Sequence, residues 1–309
     1  MKTGVKQGCL LSPLLFLVVL DWVTREAFAE GKTGVRWTLC SHLEDLEFAD
    51  DLCLVSQRVE HMRKKLSQLE EKAGKVGLKI SIKKTKEMRV RTPANTGPIR
   101  CGANTIERVD KFQYLGSIVT ATGGTEEDVE TRMRKAQQVF ALLKKVWRAR
   151  TIALKTKLRI FNACVMSVLL YGCETWRSSK TLMARLQSFV NRKLRYIVGI
   201  WWPRKIKNED LWARTNQEEI EITIRKRKFK WIGHTLRKPQ TSVTRQALEW
   251  NPQGARRRGR PRGSWRRTVM DELAEQNISW NEAKLLARNR VRWRAAVDAL
   301  CSKKRDEED

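Results

Sequence analysis

Phe48-Ala49-Asp50-Asp51-Leu52 sets two adjacent carboxylates between short apolar runs, with Leu43 and Leu46 ahead of them and Leu54 and Val55 behind. Runs this short around a polar centre read as a β-hairpin carrying its acids at the turn. Two ionised carboxylates at a tight turn repel each other unless solvent or a divalent cation neutralises them. Mg²⁺, bound by one or two carboxylates plus substrate phosphates, is the usual cation of nucleotide chemistry. An isolated Asp-Asp reads more readily as a solvated acidic turn, so the surrounding sequence has to decide.

Upstream, Ser12 and Pro13 are placed as N-cap and first helical residue of a helix running to Phe28. Its apolar side chains lie nearly all round, which predicts burial in a core. Gly4 and Gly8, flanking Lys6 and Gln7, allow backbone to approach a ligand at the helix entrance. Short strands are predicted over Val35–Leu39 and Leu46–Val55. Downstream, Met62, Leu66, Leu69, Ala73 and Val76 mark one helix face, stopped by Gly77. Leu78–Ile82 alternates as a strand, Lys83–Lys86 makes a basic turn, Met88–Val90 resumes extended, and Phe112–Gly116 is a short aromatic strand ending in Gly. Helix and hairpins together describe an α+β layer.

From Thr125, placed as a cap with Asp128 three residues on, the pattern is helical. Val129, Met133, Ala136, Phe140, Leu143 and Trp147 form an apolar stripe, and Arg132, Arg134, Lys135, Lys144, Lys145 and Arg148 a basic outer face. Further helices are predicted near Leu154–Tyr171, Thr181–Val198 and Trp280–Leu300. Ile224–Lys230 is densely basic. The organisation is therefore read as residues 1–120, 121–200 and 201–309.

The 309 residues carry a formal net charge of +29, which self-repels unless a polyanion such as a phosphate backbone neutralises it. A hydrophobic fraction of 41% with 12 Trp argues for folded segments rather than wholesale disorder. Seven irregularly spaced cysteines suggest reduced thiols in a nuclear or cytoplasmic protein, and three scattered histidines do not complete a zinc site. The longest apolar run, Leu10–Leu20, is too short to span a bilayer and makes a poor signal peptide, so neither a membrane nor secretion is expected.

Gly4-Val5-Lys6-Gln7-Gly8-Cys9-Leu10-Leu11-Ser12-Pro13, then Phe48-Ala49-Asp50-Asp51, then Gly77-Leu78-Lys79-Ile80 running into Lys84-Thr85, then Tyr114-Leu115-Gly116, resemble successive palm motifs of reverse transcriptases of non-LTR, LINE-like retrotransposons. Leu170-Tyr171-Gly172-Cys173-Glu174-Thr175-Trp176, Trp231-Ile232-Gly233-His234 and Gly259-Arg260-Pro261 resemble the downstream part of the same reading frames. The resemblance implies a partial polymerase palm of antiparallel strands packed on helices, then an all-α thumb-like region and a basic C-terminal region. It implies RNA-directed DNA polymerisation with Mg²⁺, on an RNA template and DNA primer or duplex DNA. Asp50 would bind metal, Asp51 would have a lesser role, and Lys84 would lie near the leaving pyrophosphate. Gln7 and Gly8 would sit beside nucleotide and template, while Tyr114, Leu115 and Gly116 would hold the primer end.

One departure matters. Family members carry fingers and another metal-binding aspartate upstream of the Gln-Gly motif, and here Met1 falls almost directly before Gly4, so an N-terminally truncated fragment is expected. The spare acids Asp21, Glu44, Asp45 and Glu47 are read as lying on other elements. Mg²⁺ should therefore bind weakly and the chain should not polymerise alone. A non-catalytic DNA- or RNA-binding protein is the alternative; a nuclease using Asp50 and Asp51 lacks a third ligand. Arg258-Gly259-Arg260-Pro261-Arg262 resembles an AT-hook for the narrow minor groove, and reads equally as a solvated basic loop.

Overall fold

The computed structural model of the chain describes residues 6, 8–29, 31–38, 40–90, 97–251 and 264–302. They group into two compact units. One takes the described residues of Met1–Tyr114 together with Val119–Thr122; the other takes Leu115–Ile118, Gly123–Asn251 and residues 264–302.

The first unit is α+β. It contains α1 (Ser12–Ala27), β1 (Val35–Arg36), β2 (His42–Leu43), β3 (Asp45–Phe48), β4 (Asp51–Leu54), α2 (Val59–Lys75), β5 (Lys86–Glu87), β6 (Arg100–Cys101), β7 (Asn104–Thr105), β8 (Glu107–Arg108) and β9 (Lys111–Tyr114). Strand β9 pairs with β10 (Ser117–Thr120). The ladders β1–β2, β3–β4 and β6–β7 are antiparallel hairpin pairings. The β5–β8 ladder is parallel, because the chain inserts the β6–β7 hairpin between its two strands and returns in the same direction.

Apolar periodicity in α2 is realised except at Val76, which follows the helix and is exposed. Leu69 and Ala73 pack with Val23 and Ala27 of α1 and with Leu52 and Leu54, while Leu66 packs with Ile99, Cys101 and Ile106. Three expectations fail. Leu78, Ile80 and Ile82 alternate half-buried against exposed Lys79, Ser81 and Lys83, yet this stretch has no ladder partner and is not a strand. Alternation encodes which side faces the core; hydrogen bonding needs a neighbour in register. Helix α1 is not buried all round: among the described residues it joins the unit's apolar cluster along Val19, Val23 and Ala27, leaving Leu14, Leu15, Leu17, Val18 and Trp22 exposed. Ser12 lies inside the helix, and its hydroxyl donates to the Lys6 carbonyl at 2.7 Å instead of capping.

Beyond residue 123 the described chain is helical: α3 (Glu126–Leu142), α4 (Lys144–Arg148), α5 (Leu154–Ile160), a π-helical segment Phe161–Met166, α6 (Ser167–Leu169), α7 (Lys180–Val198), α8 (Asn208–Thr215), α9 (Ile220–Leu236), α10 (Val243–Glu249), α11 (Trp265–Ala274), α12 (Trp280–Arg288) and α13 (Arg290–Ser302). One core gathers α3, α7 and the segment 161–176 around Phe140, Phe161, Leu186 and Leu194. A second gathers α9, α11, α12 and α13 around Phe229, Ile232, Leu273 and Trp293. The single helix read over Trp280–Leu300 is two, because extended Asn289 interrupts it and its side chain accepts the Val291 and Arg292 N–H groups, at 2.9 and 3.1 Å, to open α13.

Candidate functional site

The acidic motif folds as read. In the β3–β4 hairpin Phe48 pairs with Asp51, and the two loop residues are Ala49, at φ 53°, and Asp50. The register puts Asp45, Glu47, Leu52 and Leu54 on the face packed against α1 and α2, and Leu46, Phe48, Asp51 and Cys53 on the other. Asp50 is at the tip and Asp51 at the start of β4, both exposed, and neither makes a side-chain hydrogen bond or ion pair among the described residues. Asp45 and Glu47, read as belonging to another element, lie on this same hairpin. Their face, not their element, separates them from Asp51.

The hairpin stands on a buried cation. Lys65 of α2, 0% exposed, donates to the Glu44 and Val55 carbonyls at 2.8 and 2.7 Å and ion-pairs with the Glu44 carboxylate. Burial pulls its ammonium below the ordinary lysine value, opposed by Glu44 and Asp45. Glu44 is held below its own ordinary value: burial raises it, but Lys65, the Gly34 N–H and Thr33 outweigh that. Burial, then the Glu47 carboxyl, push Asp45 up to about 6. Nothing local marks Lys65 in the sequence, where α2 carries many lysines.

Tyr114 donates to the Leu46 carbonyl at 3.2 Å. Burial raises its phenol, and the Cys53 thiol and the Asp51 and Asp45 carboxylates add to this, so Tyr114 shares its surroundings with the acidic hairpin. The strand stops at Tyr114, not at Gly116. Leu115 and Gly116 are instead the two central residues of the β9–β10 turn, at φ 47° and 82°. Both positive angles are the pattern of a type I′ turn, which Gly accepts and Leu does not favour.

The Leu115–Ile118 segment is bonded at several points. The Tyr171 hydroxyl donates to the Leu115 carbonyl at 2.9 Å, and the Arg132 guanidinium donates to the Gly116 carbonyl and lies 4.2 Å from the centre of the Tyr171 ring. Asp128 accepts the Ile118 N–H and the buried Trp176 indole N–H, each at 2.9 Å. Asp128 is therefore committed to this frame and not to capping at Thr125, and Arg132 is buried instead of lying on the outer basic face. The stretch Tyr171–Trp176 had no role legible in the sequence beyond its resemblance to the downstream part of such reading frames.

The remaining predicted residues are dispersed. Lys84 sits in an exposed turn closed by its N–H on the Ser81 carbonyl at 3.0 Å. Gly8, at φ 84°, is exposed ahead of α1. Gln7 and Arg258, Gly259, Arg260, Pro261 and Arg262 lie outside the described residues. In the basic stretch Ile224–Lys230, Lys228 is buried against Glu272 at 2.7 Å and Arg225 reaches Glu275 at 2.8 Å, so two of its cations are spent inside the fold. Among the described residues no group of three or more His, Cys, Asp or Glu could hold a metal ion, and no helix is long and apolar enough to cross a membrane.

Comparison with known families places these observations. The reverse transcriptase (RNA-dependent DNA polymerase) family matches residues 1–119, and a domain of unknown function matches residues 139–171. A transposon-derived protein of Caenorhabditis elegans is 27% identical over 271 residues, covering 83% of this chain and 95% of its own. A protein of Drosophila melanogaster named as a probable RNA-directed DNA polymerase from transposon BS is 24% identical over 270 residues, 82% of this chain and 28% of its own. The retrovirus-related Pol polyprotein of the type-1 retrotransposable element R2 of Nasonia vitripennis is 29% identical over 161 residues, 45% of this chain and 15% of its own. The chain thus spans nearly all of the first relative and under a third of the other two. With the motifs in their order and the acidic hairpin formed, the match over residues 1–119 and the transposon relatives support a reverse transcriptase of a LINE-like, non-LTR retrotransposon.

Proposed function

We propose that the chain holds a primer–template near the acidic hairpin and does not polymerise by itself. In this reading residues 1–120 are palm, 121–200 a thumb-like region and 201–309 a basic nucleic-acid-binding region. Asp50 and Asp51 take a divalent cation, Gln7 and Gly8 face nucleotide and template, Lys84 faces phosphate, and Tyr114, Leu115 and Gly116 hold the primer end. One observation carries the proposal: the hairpin whose turn presents two exposed carboxylates, without a side-chain bond among the described residues, is bonded through its Leu46 carbonyl by the Tyr114 hydroxyl at 3.2 Å.

The donor set limits the chemistry. Asp50 and Asp51 suit one Mg²⁺ completed by phosphate oxygens and water, whereas two-metal transfer needs carboxylates converging from separate strands. Asp45 and Glu47 face the other side of their hairpin, so no catalytic step is assigned to this chain.

The test pairs primer extension with binding. With an RNA template, DNA primer, dNTPs and Mg²⁺, the purified chain should give no product while binding the primer–template in anisotropy measurements. Tyr114→Ala and Leu115→Gly should weaken that binding several-fold. Extension product lost on Asp50→Asn would overturn the absence of catalysis; failure to bind primer–template would overturn the nucleic-acid reading.

A further inference from the structure

Between α7 and α8 the chain presents two adjacent tryptophans to solvent, Trp201 57% and Trp202 81% exposed. Large aromatics are usually kept out of water, and the neighbourhood indicates what these two are presented to. Trp201 is held in place: its ring meets Tyr196 edge-on with centroids 5.0 Å apart, Tyr196 meets core Phe140 edge-on at 5.5 Å, and the Tyr196 hydroxyl accepts Arg148 Nε at 3.0 Å. Among the described residues the Trp202 ring meets the Lys205 ammonium, 5.5 Å from its centre. The surrounding charge is one-sided. Residues 192–207 include Arg192, Lys193, Arg195, Arg204, Lys205 and Lys207 and no acid; the nearest carboxylates, Glu209 and Asp210, open α8.

We propose that this loop is a binding site for single-stranded nucleic acid, with Trp202 stacking on an unpaired base and Arg204, Lys205 and Arg148 meeting the flanking phosphates. An exposed indole beside several exposed cations matches an unpaired nucleotide, which offers an aromatic face and a negative charge within a few ångströms. A duplex keeps its base faces stacked and can use only the cations. The proposal rests on the nucleic-acid reading of the chain and goes beyond it, since this loop is not among the palm motifs.

Anisotropy measurements on the full chain with labelled oligo-dT, and with a blunt duplex of equal length, test it. Trp202→Ala should weaken oligo-dT binding about 5- to 150-fold and leave duplex binding unchanged; Trp202→Phe should recover most of the loss, and Lys205→Gln should flatten the salt dependence for both. The side chain is exposed, so folding is not at stake. Unchanged oligo-dT affinity in Trp202→Ala, or an equal loss on duplex, would refute the stacking site. So would a variant whose only change is lost self-association in sedimentation, which would assign the tryptophans to a protein contact. A wild-type chain that binds duplex but not oligo-dT refutes this site alone, and one that binds neither refutes the underlying reading as well.

Discussion

Asp45 and Lys65 show how single residues set the electrostatics beneath the acidic hairpin. Burial and the Glu47 carboxyl raise Asp45 to about 6, so the folded protein keeps this proton at pH values where the unfolded chain has lost it. The stabilisation from that group is complete below about pH 4 and is lost as pH rises through 6. Asp45→Asn should therefore raise the melting temperature near neutral pH and flatten the decline between pH 4 and 6. Thermal unfolding followed by circular dichroism across that range checks this, and an unaltered decline would count against it. The identities of Asp50 and Asp51 were legible because a motif carries them. The roles of Lys65, Asp128 and Trp176 were not, because each depends on a partner on another element, 10 to 48 residues away: Lys65 on Val55 and Glu44, Asp128 on Trp176.

At the scale of elements, Trp231-Ile232-Gly233-His234 is explained by packing and not by chemistry. A Cβ on Gly233 would lie 2.0 Å from the Trp293 indole nitrogen, which donates to the Phe229 carbonyl at 2.9 Å. Only glycine lets α13 lay its indole against the backbone of α9. Gly233→Ala should cost about 1–3 kcal/mol or more in chemical denaturation, by expelling Trp293 from the second core; a change within a few tenths would show that the indole is free to move. Helix α2 was readable from its periodicity because its apolar face is buried along its length, in two adjoining clusters of the same unit. Helix α1 was not: an all-round apolar pattern states a preference for burial without naming a neighbour, and within the described residues most of that face stays uncovered.

Across the whole molecule the two units differ in what holds them. The first relies on ladders of two to four residues and two clusters of four buried side chains each, while the second has far larger clusters built on long helices. Hydrogen exchange on the intact chain should therefore show the slowest amides in α3, α7 and α9 and much faster exchange in the β3–β4 and β9–β10 hairpins; equal protection would contradict this. The net charge of +29 already pointed to a polyanion. Which cations remain available to one was settled only by folding, which turns Arg225 and Lys228 inward onto Glu275 and Glu272 and leaves Arg204 and Lys205 exposed. The sequence by itself determined the resemblance to reverse transcriptases, the acidic hairpin and the helical periodicity, because motifs, turns and amphipathic stripes are local. Only the tertiary structure decided that Tyr114 lies over the acidic hairpin, that Asp128, Arg132 and Tyr171 hold the next turn, and that Trp201 and Trp202 face solvent, since contacts between distant residues exist only once the chain has packed.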